Sequence, residues 1–225
     1  MRTFIAFLSC LAILSPLIAT AKPGDEIDRL VKAYYAERPA PDATVQALLK
    51  IMEESPEDAG IPKAFAFIIN HGGVSEGSDY ELTEAFLARL EKHHGDNDAL
   101  ADGLLPMIGF REDEVIAFFA RLGDASKSDV VSAAALHALA SSFEHDSQAI
   151  DRYDEILQKQ IDKHPDLRIG GRDLAGYAKQ KLFASKHLRI GKIAPEIEGE
   201  DAAGKQFKLS DYRGKVVFFN FWGDW

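Results

Sequence analysis

Histidine, cysteine and serine are the side chains through which this sequence could hold a metal or attack a bond. Their spacing decides against most of that chemistry. Of the seven histidines, His93 and His94 are adjacent. On a helix such neighbours point about 100° apart and cannot share one ion face-on. They sit in the last turn before Gly95, where positive side chains suit a helix C-terminus. His137 and His145 lie two turns apart, with Glu144 and Asp146 flanking the second. This is not a compact ligand spacing of the His-Glu-x-x-His kind, and a solvated helix end is the expected setting. No metal and no cofactor is therefore expected. No serine lies in a Gly-x-Ser-x-Gly elbow, so hydrolase chemistry has no support. Gly170-Gly171 reads as a hinge-like turn without the strand and spacing of a phosphate loop. Glu112-Asp113-Glu114 suits a first helical turn, where acids complement the dipole, and Glu53-Glu54 a solvated face.

The carboxy-terminal segment differs because several local signals agree. Glu196-Ile197-Glu198-Gly199-Glu200 alternates, Asp201-Ala202-Ala203-Gly204 is a turn, and Lys205-Gln206-Phe207-Lys208-Leu209 alternates again, which predicts a β-hairpin. Ser210 is placed to cap a single helical turn that Gly214 ends. Val216 to Trp222 is then a run of β-branched and aromatic residues, apolar on both faces apart from Asn220. Such a run predicts a strand in the middle of a sheet covered on both sides.

The Gly191-Lys192-Ile193-Ala194-Pro195 entry, the hairpin, Leu209-Ser210-Asp211-Tyr212-Arg213-Gly214-Lys215 and the closing Phe221-Trp222-Gly223-Asp224-Trp225 occur in that order. Together they resemble the redoxin and TlpA-type thiol-disulfide oxidoreductases of the thioredoxin-like superfamily. In that family the central strand ends in Phe-Trp-x-x-Trp, followed at once by Cys-x-x-Cys. The resemblance covers residues 190–225 and implies that Trp222, Gly223, Asp224 and Trp225 flank an active site. It places the nucleophile immediately after Trp225, so no catalytic residue lies within the sequence as it stands. In relatives that cysteine sits at a helix N-terminus, where the dipole lowers its pKa, and a second cysteine one turn on resolves the mixed disulfide. A UGA codon encoding selenocysteine at that position is one expectation. A truncated record, a nonsense mutation and a trimmed chain are its rivals.

Upstream, residues 25–188 alternate apolar stripes at helical spacing with short polar breaks. Ile27, Leu30, Val31 and Tyr34 form one stripe, ended by Arg38-Pro39-Ala40-Pro41. Asp42 or Thr44 is positioned to cap the next, through Val45, Leu48, Leu49 and Met52. Pro56 fits a first helical turn, and Gly72-Gly73 stops the segment through Phe65, Phe67, Ile68 and Ile69. Ala85-Phe86-Leu87-Ala88-Arg89-Leu90 returns as Ala117-Phe118-Phe119-Ala120-Arg121-Leu122. Second helices are expected over 62–71, 97–110, 128–143 and 172–187, giving four helical hairpins in a short α-solenoid or an irregular bundle. The small residues Ala133 to Ala140 predict close helix packing.

Phe4 to Ala21 is an apolar stretch preceded by Arg2, interrupted by Pro16 and ended by Ala19-Thr20-Ala21. It reads as a secretory signal over residues 1–21, with Ala19 and Ala21 at the positions a signal peptidase recognises. A lipoprotein site at Cys10 is the lesser reading, because Leu11 to Ile18 carry the apolar core past it. Loss of this leader removes Arg2 and no acid, taking the formal net charge from −10 to −11. So acidic a chain, with no basic stripe, excludes nucleic acid as a partner.

The expected architecture is mainly α over 22–188, followed over 189–225 by the incomplete start of an α/β thioredoxin-like domain. No stable membrane span is expected after signal removal. The expected function is an exported thiol-disulfide oxidoreductase of the periplasm or cell envelope, acting on disulfide-bearing exported proteins or a small oxidant. Its partner is a redox protein, with the helices as a docking surface, and the chain lacking Cys or Sec is expected to be inactive alone. The alternative is a non-enzymatic helical-repeat scaffold with a vestigial redoxin tail.

Overall fold

Apolar stripes at helical spacing, broken by Gly, Pro and capping residues, produce a chain that is mostly α-helical in a computed structural model describing residues 22–37, 41–72, 82–201 and 203–220. The helices are α1 (Pro23–Glu37), α2 (Pro41–Glu54), α3 (Ile61–His71), α4 (Glu84–His94), α5 (Ala101–Leu104), α6 (Asp113–Ala125), α7 (Asp129–Phe143), α8 (Ile150–Lys163) and α9 (Leu174–His187). A two-residue pair, β1 (Arg168–Ile169) with β2 (Arg172–Asp173), joins α8 to α9. Gly170 and Gly171 make its turn at φ +56° and +81°, a conformation that glycine adopts without steric cost. Beyond α9, β3 (Glu198–Glu200) pairs antiparallel with β4 (Gln206–Lys208) in the register Glu198 with Lys208 and Glu200 with Gln206.

Local chemistry sets several boundaries. Thr83, Ser128 and Asp173 each accept a backbone N–H from the first turn of the helix they precede, at 3.3, 3.1 and 2.7 Å. Two expected starts are corrected. α2 begins at Pro41 itself, so Asp42 and Thr44 lie inside its first turn instead of capping it. Pro62, and not Pro56, is the first-turn proline of α3, because the chain makes another turn before Ile61. The helix expected over 97–110 is also much shorter. A 3-10 turn at Asp98–Leu100 runs into the single turn of α5, and Pro106, which has no N–H to donate, follows.

Packing passes from element to neighbouring element. α1 lies on α2 and α3, α3 on α5, α5 on α7, and α4 on α6, while α6 pairs with α7 and α8 with α9. One apolar core runs from Ile27 to Leu182. α7 touches α5, α6, α8 and α9, so Val131 to Ala140 are buried on every face. Its alanines keep those neighbours close. A Cβ on Gly123 of α6 would come within 2.9 Å of the Leu136 side chain, and one on Gly103 of α5 within 2.4 Å of the Phe65 ring. Among the described residues no helix is long and apolar enough to cross a membrane.

Candidate functional site

The histidines are mostly structural. His94 is buried, and its Nε2 lies 2.7 Å from the Pro56 carbonyl oxygen between α2 and α3. Burial holds its pKa below the ordinary histidine value. The expected charged helix end therefore does not describe His94. His137, too, is buried within α7 instead of solvated, against the edge of the Tyr177 ring at 5.1 Å, whereas His145 is exposed. Among the described residues no group of three or more His, Cys, Asp or Glu side chains could hold a metal ion.

Sequence spacing gave no signal for one cluster that resembles a catalytic triad. His164 Nε2 lies 3.0 Å from Ser132 Oγ, and its Nδ1 lies 3.6 Å from an Asp129 carboxylate oxygen. The hydroxyl, however, donates to the Gly123 carbonyl at 2.7 Å and accepts from Lys163 Nζ at 2.9 Å. Its single proton is spent, so His164 must donate through Nε2–H and cannot act as the base for that serine. Ser132 is also 0% exposed. The cluster ties the end of α8 to the α6–α7 corner.

The carboxy-terminal segment builds a different kind of surface. The Leu209 N–H donates to the Ile197 carbonyl at 2.9 Å, continuing the hairpin past its last paired residues. Asp201 receives the Ala203 and Lys205 N–H groups, both at 2.9 Å, which closes the turn. A 3-10 turn over Leu209–Tyr212 follows. Ser210 lies inside this turn and does not cap it. Instead Asp211 accepts the Lys208 N–H at 2.9 Å, and Glu196 accepts the Ser210 N–H at 2.9 Å. Gly214 then turns the chain at φ +82°.

Residues 216–220 form no ladder, in contrast to the strand expected over Val216–Trp222. Their side chains nevertheless alternate as a strand's do. Val217 and Phe219, 38% and 45% exposed, line a groove of about 300 Å³ with Ile193, Ala194, Leu209 and Tyr212. Val216 and Phe218, at 102% and 90%, face away from it. A strand needs backbone partners for its N–H and C=O groups, and no neighbouring strand is placed beside this stretch among the described residues. Trp222, Gly223, Asp224 and Trp225 lie outside the described residues, as do Cys10, Ala19 and Ala21.

With that order of entry, hairpin, turn and apolar stretch established, comparison with known proteins finds relatives of part of the chain. Part of this chain is similar to thiol-disulfide oxidoreductases. The protein named thiol-disulfide oxidoreductase ResA in Bacillus thuringiensis (strain Al Hakam) is 49% identical over 47 residues, covering 20% of this chain and 27% of that protein. Its namesake in Bacillus subtilis (strain 168) is 49% identical over 45 residues, 20% of this chain and 25% of the relative. That in Geobacillus kaustophilus (strain HTA426) is 53% identical over 38 residues, 17% and 22%. The chain thus spans about a quarter of the length of these relatives. No family model matches the chain, and no solved structure does.

Glu196 offers a local test of the turn after the hairpin. Hydrogen bonds from the Ser210 hydroxyl and N–H hold its carboxyl below the usual carboxylate range. A lowered carboxylate pKa means the contact is complete above the ordinary value and is lost as pH falls through the lowered one. The Ser210 amide shift is expected to titrate at lower pH than a free glutamate, and Glu196→Gln should abolish that titration and speed exchange of the Ser210 amide. An amide that titrates unchanged in the variant would show that Glu196 does not hold the turn.

Proposed function

We propose that residues 190–225 open a thioredoxin-like thiol-disulfide oxidoreductase domain carried by an exported protein of the periplasm or cell envelope. One observation carries this reading: identity near 50% over 45–47 residues to proteins named thiol-disulfide oxidoreductase. The reactive group, a cysteine or its selenium counterpart, follows Trp225, with a second cysteine one helical turn further. The run Val216–Phe219, apolar on both faces, suits the centre of a sheet.

The chemistry needs no cofactor. The first thiolate attacks one sulfur of a target disulfide, the S–S bond breaks, and the other target sulfur leaves as a thiolate. The second cysteine then attacks the mixed disulfide and releases the reduced target. Two electrons have passed from dithiol to disulfide, and a partner protein dithiol restores the enzyme. Placement of the nucleophile at a helix N-terminus keeps it ionised at neutral pH. In this reading α1 to α9 form a short α-solenoid that docks the substrate protein or the redox partner.

The test is disulfide reduction by the chain continued past Trp225 as its own gene encodes it. Turnover of insulin disulfides, abolished when the residue after Trp225 becomes serine, is expected. A continued chain that folds and yet reduces nothing would favour a second reading, a helical scaffold with a vestigial tail. The buried core, which among the described residues draws only on Ile27 to Leu182, favours that reading.

A further inference from the structure

Two buried histidines stitch one seam of the helical array, from opposite sides. His164, the residue that ends α8, reaches Ser132 of α7, and His137 of α7 meets Tyr177 of α9. The pair α8/α9 packs on α7, so both contacts lie where that pair meets the rest of the array. We infer that this seam is a proton-operated latch: it is closed while both imidazoles are neutral, and on acidification it releases the α8/α9 pair together with the segment that follows α9.

The reason lies in what already surrounds each ring. At His164, the Lys163 ammonium donates to the same Ser132 oxygen at 2.9 Å and to the Gly123 carbonyl at 2.8 Å. A proton on His164 would put two cationic donors on one buried hydroxyl. The facing carboxylate from α7 is Asp129, 3.6 Å from Nδ1 and with its side chain largely in solvent, so its attraction favours the charged ring but does not offset the cost of burial. From α6, Asp124 is already paired with Lys159 of α8. At His137 the neighbouring charges are Arg172, Lys181 and Glu144. Glu144 is committed to an ion pair with Lys181, whose ammonium also lies 5.2 Å from the Tyr177 ring centre. A charged imidazole there would face two cations and one carboxylate already spent.

Burial pushes both rings below the ordinary histidine value. The folded seam then binds fewer protons than the open one, so closure is fully present above about pH 6.5 and is lost as pH falls below it. His94 shares this shift but joins α4 to the α2–α3 turn, a different contact. The latch does not depend on the redox reading, because its readout requires no reactive sulfur.

Amide hydrogen exchange of the full chain at pH 7 and pH 5, corrected for intrinsic rates, tests it. Protection across α8 and α9 is expected to fall at least tenfold more than protection across α3. A variant carrying His137→Gln and His164→Gln, in which glutamine can still donate to Ser132, should show no such excess. Asp129→Asn, at an exposed position, should deepen the loss at pH 4.5 by removing the carboxylate that favours the charged ring. Equal loss in α3 and α8, an excess that persists in the double variant, or an unchanged profile in Asp129→Asn would each overturn the latch.

Discussion

The 225-residue chain is expected to reduce no insulin disulfide above the rate of buffer alone. Dithiol exchange needs a thiolate to attack and a second thiol to resolve the mixed disulfide. The sequence holds one cysteine, Cys10, within the apolar stretch read as a secretory signal. Trp222, Gly223, Asp224 and Trp225 carry no group that can accept or supply electrons by this route. The difference from a chain continued through a Cys-x-x-Cys motif should be all or none. Cys10→Ser should leave the absence of activity unchanged. Insulin reduction by the 225-residue form would show that its chemistry lies elsewhere in the chain.

Phe118→Ala should be the most damaging of simple core truncations. Phe118 is fully buried in α6, its ring 6.1 Å from that of Phe119, and α6 packs on both α4 and α7. Burial of α7 on every side leaves little freedom for the surroundings to collapse into the space. Removing a buried phenyl ring costs about 3–5 kcal/mol. For a chain of this size each kcal/mol lowers Tm by roughly 2–4 °C, so a fall of roughly 6–20 °C is expected by circular dichroism. Phe183→Ala, at a half-exposed position of α9, should change Tm by little more than about 1 °C. A Phe118→Ala chain melting with the parent would contradict the packing described for α6 and α7.

The parts of the molecule that announce themselves in sequence are those where local and tertiary preferences agree. The Ile27 and Val31 stripe of α1, the Gly72 stop of α3 and the acidic first turn of α6 are each written in adjacent residues. Where two local signals compete, sequence alone picks wrongly. Asp42 and Thr44 are good caps, yet Pro41 begins α2, since its fixed φ already suits a first helical turn. The β1–β2 pair is too short to show a period, and only its Gly-Gly turn is visible beforehand. The histidines mislead for another reason. Their polarity argues for solvent, but His94, His137 and His164 are themselves buried, each against a partner distant in sequence that leaves no local trace.

The carboxy-terminal segment shows the same division. Alternation of polar and apolar residues and the turn residues from Asp201 to Gly204 specify the hairpin locally, whereas a central strand depends on neighbours that must come from elsewhere in a sheet. Val216 to Phe219 keep the alternation without a ladder to any of the described strands, so the pattern of the strand is legible and its pairing is not.

The most direct test reads the messenger RNA beyond the Trp225 codon. A codon for cysteine, or a UGA decoded as selenocysteine, is expected at once after it, with a cysteine codon three places further in the same frame. A message that ends there at any other stop, or runs on with neither sulfur nor selenium at those places, would contradict it.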